Sequence, residues 1–178
     1  MRVSYSDAMS QPTLSVRPGR RVRLAVGIIV AVFLAALVVW YVNSPSALPT
    51  SNATVNASTT GGRPVYVGVF AASQEFERTL HLSGVKVRTT ANTQVDVVPL
   101  LCRNGSLAVT TEPGAFCGKL LNPEGQTFEP GDSIVLEVSS DETAIAVIDR
   151  VRLGFREGLQ WGTREAGSPA IIRIQAAS

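Results

Sequence analysis

The stretch AIAVIDRVRLGF, residues 144–155, alternates between apolar and polar side chains along most of its length. The apolar positions of this alternation are Ile145, Val147, Val151, Leu153 and Phe155. A period of two residues is typical of a β-strand that buries one face, whereas an amphipathic helix repeats every 3.6 residues. The stretch therefore predicts a long strand with these side chains facing a core. Asp149 falls on the same face, so either the strand bends there or Asp149 pairs with a buried donor such as an arginine.

The same period recurs from residue 64 onward. It predicts further strands at residues 65–70, 79–87, 93–101, 106–110, 134–138 and 169–176. The alternation changes phase at Gly84, which predicts a β-bulge, and Pro99 predicts a sheet edge because proline cannot donate to a ladder. We therefore predict an all-β fold, an antiparallel β-sandwich of immunoglobulin-like size and pattern, with a Greek-key barrel as the alternative.

A long apolar segment precedes these strands. Residues 24–42 contain no charged side chain, and a helix of this length covers roughly 28 Å, close to the hydrocarbon thickness of a bilayer. A cleaved signal usually has a shorter apolar core that ends in small residues, whereas this segment ends in Trp40 and Tyr41, side chains that favour the headgroup level. We predict an uncleaved single-pass transmembrane helix over 24–42, with a cleaved signal as the alternative.

The flanking composition predicts the topology. Four arginines, at 17, 20, 21 and 23, precede the apolar segment, so residues 1–23 are predicted to form a basic cytoplasmic tail. Residues 43–63 are rich in Ser, Thr, Asn and Pro, a composition typical of a flexible tether. Residues 64–178 then form an extracytoplasmic domain of a plasma-membrane protein, and the lipid bilayer is one predicted partner.

The charge distribution argues against nucleic-acid binding by this domain. Residues 1–23 carry a net charge of +4, whereas residues 63–178 carry 11 basic and 13 acidic side chains. The excess of positive charge in the whole chain therefore belongs to the tail, and no nucleic-acid partner is predicted.

Cys102 and Cys117 are the only cysteines. Outside the cytoplasm an isolated pair favours a disulfide, here closing one loop or hairpin. The alternatives are free or metal-binding thiols and a redox-active pair, but redox-active pairs are typically spaced as in C-x-x-C at the start of a helix.

No catalytic motif is recognisable. His81 is the single histidine and lies in a predicted strand, as does Ser83–Lys86, which matches S-x-x-K without the helix that this motif requires. The acidic residues Asp132, Asp141 and Glu142 are interpreted as solvated turn residues because a calcium loop needs more oxygen ligands in series. No catalytic residue, metal ligand or cofactor is predicted.

Arg150, Arg152 and Arg156 share the face opposite the apolar face of residues 144–155. Three guanidinium groups on one strand suit a carboxylate- or phosphate-rich partner, such as an anionic envelope polymer. The alternative is a solvent-facing strand whose charges discourage edge-to-edge pairing. Trp161 follows in a Gly-rich stretch and is predicted to pack in the core, with an exposed binding residue as the alternative.

Gly27, Ala31 and Ala35 are spaced to share one helix face, a small-xxx-small pattern that allows close helix packing. A homo-oligomer formed through this face is the alternative to simple anchoring. Together these features predict a membrane-anchored binding or accessory module whose further partner is an envelope polymer or a membrane protein. An envelope enzyme and a structural subunit assembled through the anchor are the alternatives, and fold class does not decide among them.

Overall fold

A computed structural model describes residues 19–176. The chain divides after Val39 into two compact units. The apolar segment forms one helix, α1 (Arg20–Val42), and within it Val22–Val42 has a mean hydropathy of 2.8. By length and composition α1 can cross a membrane, and its large apolar side chains are exposed in the structure. Most of the predicted cytoplasmic tail lies outside the described residues.

The second unit is built from strands. Among the described residues these are β1 (Val55–Thr60), β2 (Val65–Ala71), β3 (Leu80–Lys86), β4 (Thr89–Ala91), β5 (Asp96–Arg103), β6 (Val109–Thr110), β7 (Lys119–Leu121), β8 (Thr127–Phe128), β9 (Ser133–Ser139), β10 (Ala144–Ile148), β11 (Val151–Glu157), β12 (Gln160–Ala166) and β13 (Ala170–Gln175). A short 3-10 helix, Pro113–Ala115, lies between β6 and β7. The predicted all-β class is therefore confirmed for this unit.

The strands form three sheets. Their orders are β1-β13-β10-β4, β12-β11-β3-β8 and β6-β2-β9-β5-β7. Neighbouring strands are antiparallel except β1 and β13, which are parallel. One main core of buried side chains draws on all three sheets, and it contains the stacked rings of Phe70 and Phe128 with Phe76 packed edge-on against both.

The first two sheets are joined at a corner. Short connections carry the chain from one sheet to the other three times: residues 87–88 between β3 and β4, residues 149–150 between β10 and β11, and residues 167–169 between β12 and β13. The strands on the two sides occur in the same order, so these sheets are the halves of one bent sheet. Such corners arise where strands bend and pass between packed layers.

This corner corrects the prediction of one long strand at residues 144–155. On the β10 side the buried residues are Ala144, Ala146 and Ile148, while Ile145 and Val147 are 51% and 44% exposed. On the β11 side Val151, Leu153 and Phe155 are buried as predicted. The two-residue connection changes the phase of the alternation, and Asp149 is exposed at the bend. Of the two alternatives for Asp149, the bend is the one observed.

Two finer predictions are confirmed. The register between β3 and β11 shifts next to Gly84, which has φ +154° and accommodates the bulge. Pro99 pairs with Leu136 of β9 on one side, whereas the ladder to β7 begins only at Leu101. Pro99 therefore lies where β5 is an edge.

The predicted tether at residues 43–63 needs correction, because most of it is part of the β unit. Pro45 and Leu48 are buried, and Thr50 forms a parallel bridge with Gly167. Strand β1 then pairs along its whole length with β13, and Ala57 joins the main core. Composition identified this segment as polar, but the pairing partner of β1 is contributed by the far end of the chain.

The predicted disulfide joins Cys102 and Cys117, with Cα atoms 5.2 Å apart. Both cysteines pack with Val135 of β9 in a second, smaller core, which lies on the opposite face of β9 from Ile134 and Leu136. Strand β9 is consequently buried on both faces. The disulfide holds the loop between the two cysteines against β9 of the third sheet. Closing a loop of about 15 residues stabilises a fold by roughly 3 kcal/mol in the chain-entropy model.

Asp132 is buried, with 2% of its surface exposed, which corrects its interpretation as a solvated turn residue. Its carboxylate accepts hydrogen bonds from the Arg103 guanidinium and from the backbone N–H groups of Asn104 and Glu129, the latter two at 3.1 and 3.0 Å. The sequence shows only a Pro-Gly-Asp turn. Asp132 is buried because the end of β5, with Arg103 and Asn104, packs against this turn.

Candidate anion-binding cleft

A cleft of about 250 Å³ lies at the corner between the two halves of the bent sheet. It is lined by Lys86, Val87, Arg88, Asp149, Arg150, Arg152 and Glu165. Four of these side chains are cationic and two are carboxylates, so the cleft has a formal charge of +2. The residues from 63 onward are net negative, so positive charge is concentrated at this site.

Strand pairing places three of the charged side chains in one row. Arg152 of β11 lies opposite Lys86 of β3 on one side and opposite Glu165 of β12 on the other. All three are exposed, on the face opposite buried Leu153. Directly opposed residues of neighbouring strands have Cβ atoms about 5 Å apart, so this row is closely spaced.

The two connections at the corner add the remaining cations. Arg88 lies between β3 and β4 and Arg150 between β10 and β11, and the Asp149 N–H donates to the Arg88 carbonyl oxygen at 3.0 Å. The Arg150 guanidinium is oriented by Nε–H donation to the Ser51 carbonyl oxygen at 3.1 Å and by a short bond to Asn52 Oδ1. Residues of the supposed tether therefore help to position the site.

Direct ion pairs do not neutralise these cations. The described residues form two ion pairs closer than 4.0 Å, Arg78–Glu157 and Arg103–Asp132, and both lie outside the cleft. In the first, the hydrogen bond from Arg78 lowers the pKa of Glu157 below its usual range.

The three arginines predicted to share one strand face do not form a single site in the structure. Arg150 and Arg152 meet in the cleft, whereas Arg156 lies four residues further along β11, roughly 13 Å from Arg152. Strand β11 lies between β12 and β3, so its arginines are not at a sheet edge where they could discourage edge-to-edge pairing.

Lys86 and Arg88 were missed by sequence reasoning. They alternate with Val85 and Val87, which indicates that they face solvent, but their proximity to Arg152 depends on the pairing of β3 with β11.

The chemistry of the lining suits an anion. Each guanidinium presents a planar fork of N–H donors that matches a carboxylate or phosphate, and Lys86 adds a compact positive charge. Val87 is the one apolar side chain in the lining, so the cleft is not built for an apolar ligand. A second depression of about 220 Å³ continues past Arg150 to Pro169 and shares Asp149 and Glu165 with the first.

The other site predictions have mixed outcomes. Trp161 is 60% exposed, which corrects the prediction of core packing; it lies on the outer face of β12, and its neighbour Gly162 faces Pro45. His81 is exposed on β3. Gly27, Ala31 and Ala35 lie one helical turn apart in α1, where their role in packing stays a prediction. Within residues 19–176, no group of three or more His, Cys, Asp or Glu side chains is placed to hold a metal ion.

Comparison with known proteins adds no assignment to these observations. No family model matches the chain, and no curated protein is significantly similar to it. Function must therefore be inferred from the cleft, the apolar helix and the disulfide.

Proposed function

We propose that this chain is a single-pass plasma-membrane protein whose outer β domain binds an anionic polymer of the cell envelope. The observation that carries the proposal is the concentration of Lys86, Arg88, Arg150 and Arg152 around one cleft. The function is binding, without a catalytic step.

The location outside the cytoplasm is supported by two independent features. α1 has the length and apolarity of a membrane span, and arginines flank its amino-terminal end, which favours a cytoplasmic amino terminus. The Cys102–Cys117 disulfide is typical of an oxidising compartment. Together they favour a carboxy-terminal domain on the outer side of the membrane.

The domain architecture that we propose is a β-sandwich of immunoglobulin-like size. The main core lies among the bent sheet and the third sheet, as expected for two packed β layers. In this arrangement the corner cleft lies on the outside of the sandwich and is open to a large ligand.

A polymer fits the cleft better than a single small anion. Exposed ion pairs contribute only about 0–1 kcal/mol each, so one anionic group would bind weakly. Repeated anionic groups on one chain engage several cations together, and each contact raises the effective concentration of the next.

Retention on an immobilised polyanion tests the binding proposal. The full-length chain in lipid nanodiscs is expected to bind polyphosphate or polygalacturonate at about 50 mM salt and to elute before about 300 mM, where the screening length is roughly 6 Å. It should pass through an uncharged dextran support. Failure to bind either polyanion at low salt would exclude the proposed ligand class.

Cysteine labelling tests the topology. In a chain that carries Cys102→Ser and Cys117→Ser, a single cysteine introduced as Asp141→Cys at an exposed turn should be labelled by a membrane-impermeant maleimide on intact cells, because the domain lies outside. A single cysteine introduced as Ser4→Cys in a chain that carries Cys102→Ser and Cys117→Ser should be labelled only after lysis. The reverse pattern would place the domain in the cytoplasm.

A further inference from the structure

The β11–β12 hairpin exposes apolar side chains at its tip. Glu157 pairs with Gln160, so the loop consists of Gly158 and Leu159, and Gly158 has φ +57°, as tight hairpin turns require. Leu159 is 79% exposed and Trp161 is 60% exposed. Leu159 in the turn and Trp161 two residues later on β12 form an exposed apolar projection, and contiguous exposed apolar surface marks interaction sites.

The chain that follows the apolar segment is held against this same hairpin. Gln160 Nε2 donates to the carbonyl oxygens of Tyr41 and Ser44, each at 3.2 Å. Arg164 Nε donates to the Pro45 carbonyl oxygen at 2.9 Å. The Pro45 ring fills the space beside Gly162, where a Cβ atom would come within 3.0 Å of its Cγ. The hairpin is therefore fixed next to residues 41–45.

These contacts set the depth of the hairpin tip. The candidate membrane span ends at Val42, and Trp40 and Tyr41 at its end are 69% and 55% exposed, as is typical of aromatic residues at the headgroup level. Gln160 is hydrogen-bonded to the Tyr41 carbonyl and so lies at nearly the same depth. Its sequence neighbours Leu159 and Trp161 have Cα atoms about 3.8 Å from its own.

We infer that Leu159 and Trp161 insert into the headgroup region of the outer leaflet and give the β domain a second contact with the lipid surface. The inference rests on the proposed membrane anchoring. Trp161 has an apolar ring and a polar indole N–H, which suits this layer, and Leu159 adds exposed apolar area beside it. Arg156 lies directly opposite Trp161 on β11 and is exposed, so its guanidinium can bind a lipid phosphate.

The chain contains two tryptophans, Trp40 and Trp161, so each can be observed alone. Trp40→Phe leaves Trp161 as the reporter, and Trp161→Phe leaves Trp40. The full-length variants are reconstituted in vesicles of phosphatidylcholine and phosphatidylglycerol, with nitroxide lipids labelled at the headgroup or deep in the acyl chain. Trp161 is expected to emit at shorter wavelength than a solvent-exposed tryptophan, to be quenched more by the headgroup label than by the deep label, and to resist aqueous iodide.

A matched control uses the same strand and face. Glu165→Trp, in a chain with both native tryptophans changed to phenylalanine, places a reporter roughly 13 Å further along β12, and iodide should quench it several-fold more strongly than Trp161. If the nitroxide lipids quench Trp40 but only iodide quenches Trp161, the proposed membrane anchoring is supported and the contact of the hairpin with lipid is refuted. If lipid quenches neither native tryptophan, the anchoring proposal fails and this inference fails with it.

Discussion

Replacing Arg88 and Arg152 by glutamate is expected to lower markedly the salt concentration at which the full-length chain elutes from polyphosphate. The substitutions change the formal charge of the cleft from +2 to −2, so an attractive site becomes repulsive. Two cations are lost and two anions gained, and about 0.5 kcal/mol for each change gives roughly 2 kcal/mol, or an affinity about 30-fold lower at about 50 mM salt. Retention is measured as the salt concentration at elution. Arg150 is left in place because its guanidinium also holds residues 51–52.

A control with the same change in net charge separates the cleft from the overall field of the protein. Arg63 and Arg173 are both exposed and lie outside the cleft lining. Arg63→Glu with Arg173→Glu should shift elution only slightly, and both double variants should keep the unfolding midpoint of the wild-type chain. Equal loss of binding in the two double variants would mean that the cleft is not a specific binding site for the polymer.

Replacing Asp132 by alanine is expected to destabilise the β domain by about 2–4 kcal/mol. The change leaves the Arg103 guanidinium without its carboxylate and deprives the Asn104 and Glu129 N–H groups of their acceptor. The Arg103 side chain is 21% exposed, so water solvates part of its charge, and most of the loss comes from the two backbone N–H groups left without an acceptor. Urea unfolding followed by circular dichroism measures the loss.

Two further variants test this account of Asp132. Asp132→Asn keeps the shape and one acceptor oxygen but removes the charge, so its loss of stability should be smaller. Asp141→Ala removes an exposed turn carboxylate and should change the free energy of unfolding by no more than about 0.5 kcal/mol. If Asp132→Ala is as mild as Asp141→Ala, the three hydrogen bonds to Asp132 do not stabilise the fold.

The parts of this structure that sequence could predict are those set by local pattern. Alternation identified β2, β3, β9 and β13, the phase change at Gly84 located the bulge, and an isolated pair of cysteines in an extracytoplasmic domain favoured the disulfide. Each of these depends on residues close together in the chain. The length and apolarity of residues 24–42 likewise predicted the helix from composition alone.

The parts that sequence could not predict depend on pairing between distant segments. β1 is polar in composition and becomes a strand because β13, from the other end of the chain, provides its ladder. The sequence does not reveal the corner at residues 149–150, because apolar and polar residues alternate on both sides of it and only the phase of the alternation changes.

The cleft depends both on local sequence pattern and on pairing between distant strands. Its two arginines from residues 150–152 were predicted as anion ligands, whereas Lys86 and Arg88 reach them only because β3 pairs with β11 and both strands turn at the same corner.

The most direct test of anion binding at the corner is the reactivity of the two lysines. Lys86 lines the cleft and Lys119 lies on β7; both are exposed, and the chain contains no other lysine. The rate of acetylation of each by an amine-reactive ester is followed by mass spectrometry, with and without polyphosphate at about 50 mM salt. Bound polyphosphate is predicted to slow acetylation of Lys86 several-fold and to leave Lys119 unchanged. Equal slowing of both lysines, or no slowing of Lys86 while the polymer is bound, would contradict the cleft as the binding site.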